Sequence, residues 1–252
     1  MEYQGPLFTP QDPLPNLKAP LITPSAAPSS IRKDQYEKAA WAQNRVICGV
    51  DEVGRGCLAG PLVTAAVILH PGRTARHLKD SKLMSPEELA YSARWVLENS
   101  WYGYGMVTHT KIDQCNIYQA TLLAMRRAVI QAILAASECP TAILVDAMPL
   151  TLPLSGFQEI PIHHFPKAES KSSSVAAASI IAKVKRDALM QRLDGTFPGY
   201  HLAAHKGYAT ASHCTAVQSL GPSIIHRKSF LDKVLQPAEQ LSLVQIATVE
   251  QI

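Results

Sequence analysis

Two adjacent acidic residues, Asp51 and Glu52, end a short apolar run rich in β-branched residues and precede Gly54-Arg55-Gly56. The apolar run, residues 46–50, is typical of a buried strand bounded by glycine turn signals. Carboxylate oxygens are the ligands that Mg²⁺ prefers, and glycines let a ligand approach the backbone closely. The arginine adds a planar fork of donors that suits phosphate. Taken alone, the segment could also be a hairpin turn with a solvated charge pair.

A second apolar run, residues 142–146, repeats this design and ends in Asp146. If the two strands lie side by side in one sheet, their carboxylates converge. Like charges that are packed together repel unless a cation neutralises them, so the pair predicts a metal site. Either aspartate alone could simply begin a turn.

Further acidic residues come after another short strand, residues 160–165. Glu169, in the polar segment 167–171, is either another ligand or a charge at the start of the helix predicted over residues 172–193. Asp187 lies within that helix, where Arg186 and Arg192 are available as local partners, and we interpret it as structural.

The remaining periodicity predicts a mixed α/β fold. After the turn at Gly60-Pro61, residues 62–69 form a further apolar run, which we expect to pair antiparallel with the run at residues 46–50. Ser85, with Glu88 three residues later, predicts the capped start of a helix that ends near residue 99. The other predicted elements are a short helix at 31–43, a strand at 101–108, a long helix at 111–136, a loop at 201–210 and a helix ending at 220.

Composition limits the cellular setting. The chain has 252 residues, 47% of them hydrophobic, and a net charge of +4, which favours an anionic partner only mildly. No apolar run approaches the roughly 20 residues of a membrane span, and no secretory signal is visible. The five cysteines are scattered, which favours reduced thiols in a cytoplasmic protein over zinc or disulfides.

The first thirty residues differ from the rest of the chain, because seven prolines lie between Pro6 and Pro28. We expect a disordered leader there, with a docking tail for a partner as the alternative.

Several motifs lie in order along residues 45–232: Val-Asp-Glu-Val-Gly-Arg-Gly at 50–56, Ala-Gly-Pro at 59–61, Asp-Ser-Lys at 80–82, residues 116–127, Leu-Val-Asp at 144–146, residues 175–187, His-Lys-Gly-Tyr at 205–208 and residues 221–230. In these motifs the chain resembles bacterial ribonuclease HII, the type 2 ribonuclease H.

This resemblance implies an α/β fold, with a ribonuclease H-like mixed five-stranded sheet flanked by helices and a helical C-terminal portion. The expected organisation is a leader at 1–30, a catalytic domain at 31–232 and a tail at 233–252 that could be helical.

The resemblance also implies the site. Asp51, Glu52 and Asp146 match three of the family's four acidic residues, which bind Mg²⁺ or Mn²⁺ in a two-metal site. The fourth is usually Asp in the family, and here Glu169 takes its place with one more methylene.

Substrate-binding residues are implied by the same resemblance. The backbone of Gly54, Arg55 and Gly56 matches the segment that senses the ribose 2′-hydroxyl. Tyr208 matches the tyrosine that packs on the next deoxyribose, whereas Lys82 and Lys167 are expected to contact phosphate.

The implied activity is cleavage of the RNA strand in RNA–DNA hybrids and of duplex DNA at the 5′ side of single embedded ribonucleotides, leaving 3′-hydroxyl and 5′-phosphate ends. Two alternatives are another nuclease or transposase on the same fold, and a catalytically idle nucleic-acid-binding protein. We expect a monomer with no membrane partner. A sliding-clamp contact has no convincing peptide in the sequence to support it.

Overall fold

A central five-stranded sheet organises the computed structural model, which describes residues 34–152 and 159–235. In the order β3-β2-β1-β4-β5, β1 pairs antiparallel with β2 and parallel with β4. The β2–β3 pair is antiparallel and the β4–β5 pair is parallel. The mixed five-stranded sheet is therefore confirmed. The strands are β1 (Ile47–Val53), β2 (Leu62–Leu69), β3 (Ser100–Val107), β4 (Ala142–Asp146) and β5 (Ile162–Phe165).

The register of the two central parallel strands decides where their acidic residues lie. Val50 of β1 is paired with Val145 of β4. Because the strands are parallel, the next residue of each, Asp51 and Asp146, leaves the pair at the same end of the sheet.

Helices cover both faces of the sheet. The helix α3 packs on one face around Val50, Ala66 and Val145, and α2 and α4 pack on the other around Ala65 and Val67. This alternation along β2 reflects the two-residue period of a strand. The helices are α1 (Gln35–Trp41), α2 (Pro86–Glu98), α3 (His109–Ala135), α4 (Ser173–Thr196), α5 (Leu202–His205), α6 (Ala211–Leu220) and α7 (Asp232–Leu235), and short 3₁₀ turns lie at 81–83, 168–170 and 228–230.

The C-terminal helices form a separate apolar cluster at the far end of α4. Met190 of α4 packs there with Leu58, Leu202 and Val217. The predicted helical C-terminal portion is thus attached to the sheet through α4 and through the loop that joins β1 to β2.

One glycine of β1 brings the sheet against α4. A Cβ at Gly49 would lie 2.2 Å from the carbonyl carbon of Ser174 and from the amide nitrogen of Val175. No other residue fits so close an approach, and it places the N-terminus of α4 beside the acidic end of β1.

Local sequence patterns predicted most of the helix boundaries, but not all of them. Ser85 and Glu88 form the predicted capping box, which opens α2. The long helix is broken at Asn116, whose φ of 66° is not helical and whose Oδ1 accepts the amide of Gln119. The side chain of Asn116 therefore caps a new helical segment that begins after the break. Residues 201–210 were predicted to be a loop, but the structure has the one-turn helix α5 within them.

Two sequence predictions lie outside the described residues: the leader at 1–30, and the tail at 233–252 except for the end of α7. Among the helices that the structure does describe, none has the length and apolarity to cross a membrane.

Candidate active site

Asp51 lies near the end of β1 and is almost fully buried, with 8% of its surface exposed. Its Oδ1 accepts the amide N–H of Glu52 at 2.7 Å. The hydroxyl of Ser179 on α4 lies close enough to the carboxyl group of Asp51 to favour its charged form. Ser179 is also 2.8 Å from the hydroxyl of Ser81. Asp51 is therefore held by Glu52 on its own strand and lies beside Ser179 of α4, and no local sequence pattern predicts the proximity of Ser179.

Asp146 connects the end of β4 to the turn that carries Glu169. The amide N–H of Ala168 donates to Asp146 Oδ1 at 3.0 Å. Glu169 comes next in the 3₁₀ turn at 168–170, and its Oε2 is buried with no hydrogen-bond partner among the described residues. The structure thus brings Glu169 to the same end of the sheet as Asp146.

The acidic side chains influence one another electrostatically. Burial raises the pKa of Asp51 well above its usual range, and the charges of Glu52 and Asp146 raise it further. Burial also raises the pKa of Glu52 to about 7; Arg55 opposes this shift, and the charge of Asp146 adds to it. Burial, with Asp146 and Asp80 nearby, raises the pKa of Glu169. Burial is the largest cause of each shift, and negative charge held close to other negative charge adds to it.

The donor set fits a divalent cation. In residues 34–152 and 159–235, no three His, Cys, Asp or Glu side chains form a ready-made ligand group. However, all four candidate ligands are carboxylates, the chemistry that Mg²⁺ and Mn²⁺ prefer. Glu52 and Glu169 each have one buried oxygen without a partner in the described chain. A cation would satisfy these oxygens and relieve the like-charge repulsion that adds to the pKa shifts caused by burial.

The loop between β1 and β2 lies directly beside the carboxylates. Gly54 has a φ of +95°, and a Cβ there would lie 2.2 Å from Nε of Arg186. Arg55 turns its side chain towards Glu52, with Nη1 3.6 Å from Oε1. Gly56 is exposed. The predicted Gly-Arg-Gly segment therefore runs from the buried Gly54 to the exposed Gly56 at the edge of the acidic site.

Tyr208 lies against the same loop. Its backbone forms an isolated bridge with Cys57, and the amide of Leu58 donates to the carbonyl of Gly207 at 2.8 Å. The guanidinium of Arg186 lies 5.8 Å from the centre of the Tyr208 ring, which is 40% exposed. The ring of Tyr208 is therefore partly exposed, next to the loop that contains Gly56.

The two predicted phosphate-binding lysines are exposed at this end of the sheet. The positive charge of Lys82 lowers the pKa of both Glu52 and Glu169, so it lies within electrostatic range of both. Lys167 precedes the turn that carries Glu169 and has a left-handed backbone, with a φ of 57°. Lys82 is therefore close to the acidic residues in space, and Lys167 lies two residues before Glu169 in the chain.

Asp187 is separate from this group. Its carboxylate forms an ion pair with Lys183 one turn earlier, at 2.8 Å. The partners expected from the sequence were wrong, because Arg186 donates instead to the carbonyls of Pro61, Lys206 and Ala59.

Comparison with known proteins gives a consistent result. Residues 48–233 match the family model of ribonuclease HII. The chain is 43% identical over 195 residues to ribonuclease HII of Thermus thermophilus, covering 77% of this chain and 90% of that protein. It is 42% identical over 200 residues to ribonuclease HII of Staphylococcus epidermidis, covering 78% and 74%.

The fold is also similar to a solved structure, the complex of PCNA and RNase HII from Archaeoglobus fulgidus. The TM-score is 0.61 and the sequence identity is 25%. The match covers 77% of this chain and 98% of that one.

Proposed function

The chain belongs to the ribonuclease HII family and is therefore a ribonuclease H, and we propose that it also cuts duplex DNA at the 5′ side of single embedded ribonucleotides. The cut would leave 3′-hydroxyl and 5′-phosphate ends. On hybrids, the same enzyme hydrolyses the RNA strand.

One observation supports this proposal above the others. Asp51 and Asp146 leave adjacent parallel strands at the same end of the sheet, and the Gly54–Gly56 loop and Tyr208 lie beside them. A nuclease without ribonucleotide specificity would need the carboxylates alone. An idle binding protein would gain nothing from clustered negative charge, because it repels the phosphate backbone.

We propose that Asp51, Glu52, Asp146 and Glu169 hold two Mg²⁺ or Mn²⁺ ions. Such ions activate water and stabilise the leaving oxygen during displacement at phosphorus. Lys82 and Lys167 would neutralise the flanking phosphates and so draw the strand towards the acidic end of the sheet.

We propose that the Gly54–Gly56 loop and Tyr208 recognise the substrate. Backbone groups of Gly54, Arg55 and Gly56 would contact the 2′-hydroxyl, which distinguishes RNA from DNA. The ring of Tyr208 would pack on the next sugar and so favour an RNA-to-DNA junction. A side-chain nucleophile is not part of the proposal, and burial raises the pKa of the nearby Cys57 thiol, which keeps it protonated.

The test is cleavage of a DNA duplex that carries one ribonucleotide, with the same duplex made entirely of DNA as control. We expect a single cut at the 5′ side of the ribonucleotide, dependent on Mg²⁺ or Mn²⁺, and no cut in the control. Equal cleavage of both duplexes would favour the general nuclease, and tight binding without cleavage would favour the idle binding protein.

The sliding clamp is a second candidate partner, because the archaeal relative was solved in complex with PCNA. Size-exclusion chromatography of the full chain with a bacterial clamp, beside a chain that ends at residue 235, tests for the contact and for the predicted monomer. If neither form co-elutes with the clamp, this partner is excluded. The cytoplasmic location stays a prediction.

A further inference from the structure

Two arginines are completely buried beneath the loop that joins β1 to β2. Arg186 of α4 and Arg227 of the C-terminal portion are both 0% exposed. In the described part of the chain, neither forms an ion pair with a carboxylate. A buried charge is costly unless hydrogen bonds compensate it. Here the compensation comes from backbone carbonyls.

Arg227 holds both ends of the loop at once. Its Nη1 donates to the carbonyl of Arg55 at 2.8 Å, and its Nε and Nη2 both donate to the carbonyl of Gly60, at 3.1 and 2.9 Å. The ring of Phe230 lies 5.3 Å from the guanidinium carbon. Arg186 binds other carbonyls of the region, so the two arginines do not share an acceptor.

The contact with Arg55 fixes the direction of the next amide. The peptide bond between Arg55 and Gly56 is trans. A planar trans peptide points its C=O and N–H in opposite directions. Since the Arg55 carbonyl points inward to the guanidinium, the N–H of Gly56 points outward to the exposed side of the loop.

Gly56 itself leaves that side open. A Cβ at this position would meet no atom within 4 Å, and its φ is not in the left-handed region. Nothing in the described part of the chain therefore requires glycine here, in contrast to Gly54. A glycine that the fold does not need is explained if a ligand must come close to the backbone.

We propose that Arg227 is a positioning residue for recognition of the ribose 2′-hydroxyl. By holding the Arg55 carbonyl inward, it presents the Gly56 N–H to the sugar of the ribonucleotide. The inference rests on the proposed function, because it assumes that this loop contacts the 2′-hydroxyl. Lysine cannot replace Arg227, because one ammonium group lacks the planar fork that reaches Arg55 and Gly60 together.

The experiment measures a binding preference rather than a rate. Dissociation constants are determined by fluorescence anisotropy for a duplex with one ribonucleotide and for the same duplex made of DNA, with Ca²⁺ in place of the catalytic metal. The full-length proteins are wild type, Arg227→Lys and Val129→Ala. Val129 is buried on α3, in the apolar cluster with Val50, Ala66 and Val145, so its truncation controls for lost stability.

We expect wild type to prefer the ribonucleotide duplex and Arg227→Lys to lose about tenfold of that preference, the equivalent of one hydrogen bond to a charged group. Affinity for the DNA duplex should stay within about twofold, because the positive charge is retained. Val129→Ala should keep the wild-type preference.

A wild-type preference that survives in Arg227→Lys would overturn the inference, and so would an equal loss in Val129→Ala. If wild type itself shows no preference, the proposed reading of the 2′-hydroxyl fails instead. Should Arg227→Lys not fold, Phe230→Leu displaces the guanidinium more gently. It should lower the preference by roughly threefold, an effect of the size of a lost cation–π contact, and an unchanged preference would again refute the role of Arg227.

Discussion

Glu37 offers a direct test of how the acidic site is supported. It lies on α1, is 0% exposed, and its Oε1 accepts the hydroxyl of Ser172 at 2.6 Å and the amide of Ser174 at 2.9 Å. Both donors belong to the first turn of α4, where a carboxylate compensates free amides and the helix dipole. Burial raises the pKa of Glu37, and its Oε2 has no partner within the described residues.

Replacing Glu37 by alanine leaves two buried donors without an acceptor. Each unsatisfied donor costs about 1–3 kcal/mol, so Glu37→Ala should lower the free energy of unfolding by about 3 kcal/mol. Glu37→Gln keeps the accepting oxygen and the side-chain length. It should cost at most about 1 kcal/mol, because its new amide group occupies the place of an oxygen that already lacks a partner.

The assay is urea denaturation at pH 7, with Glu98→Ala as a matched control. Glu98 is exposed at the end of α2, so its removal should change the free energy of unfolding by less than about 0.5 kcal/mol. Glu169 precedes Ser172 by three residues, and Glu37→Ala should therefore also raise the Mg²⁺ concentration needed for cleavage. A Glu37→Ala protein as stable as Glu98→Ala would refute the capping role, and so would a glutamine variant as unstable as the alanine variant.

Three further predictions concern the site and its surroundings. Asp146→Asn should reduce cleavage at saturating Mg²⁺ by well over tenfold, more than about 1.4 kcal/mol of barrier, while urea denaturation shows equal or slightly higher stability because like-charge repulsion is relieved. A metal titration of cleavage should show lower activity for Glu169→Asp, because its carboxylate is one methylene shorter. The same titration should show a higher Mg²⁺ midpoint for Glu169→Gln, which loses the charge. If neither the activity nor the midpoint changes, Glu169 is not a ligand. Burial lowers the pKa of His226 from 6.5 to about 4. Between these values the unfolded chain binds a proton that the folded chain does not, so stability should fall by up to about 3 kcal/mol as the pH drops from 6.5 to 4, and His226→Gln should flatten that slope in denaturation experiments.

The sequence alone was enough to predict the parts of the fold that local patterns encode. The carboxylates of Asp51 and Asp146 were expected to converge if their two strands lay side by side in one sheet, and the register of β1 against β4 shows that the strands are neighbours. Ser85 and Glu88 marked the start of α2 because a capping box depends on residues three apart. Periodicity cannot reveal the break at Asn116, because the apolar pattern continues through it.

The contacts that hold the site in place were not predictable, for a physical reason. Glu37 and Ser172 are 135 positions apart, and Arg227 and Arg55 are 172 apart. The acceptor for Arg227 is a backbone carbonyl, which every residue possesses, so the residue type of the partner does not reveal the contact. A charged residue without a charged partner nearby in sequence was the only available sign, and many exposed residues share it.

The helix α4 explains how such distant segments act on one site. The amide of Ser174 in its first turn donates to the buried carboxylate of Glu37, Ser179 lies beside Asp51, and Arg186 donates to the carbonyl of Pro61 after the loop that follows β1. From Ser173 to Arg186 the helix rises about 20 Å, at roughly 1.5 Å per residue. Because a packed helix is rigid over that length, the distance between the carboxylates and the Gly54–Gly56 loop is set by α4 rather than by the loops themselves. Substitutions that shift α4 should therefore impair catalysis and 2′-hydroxyl recognition together, whereas Arg227, which holds the loop but is not part of α4, can affect recognition alone.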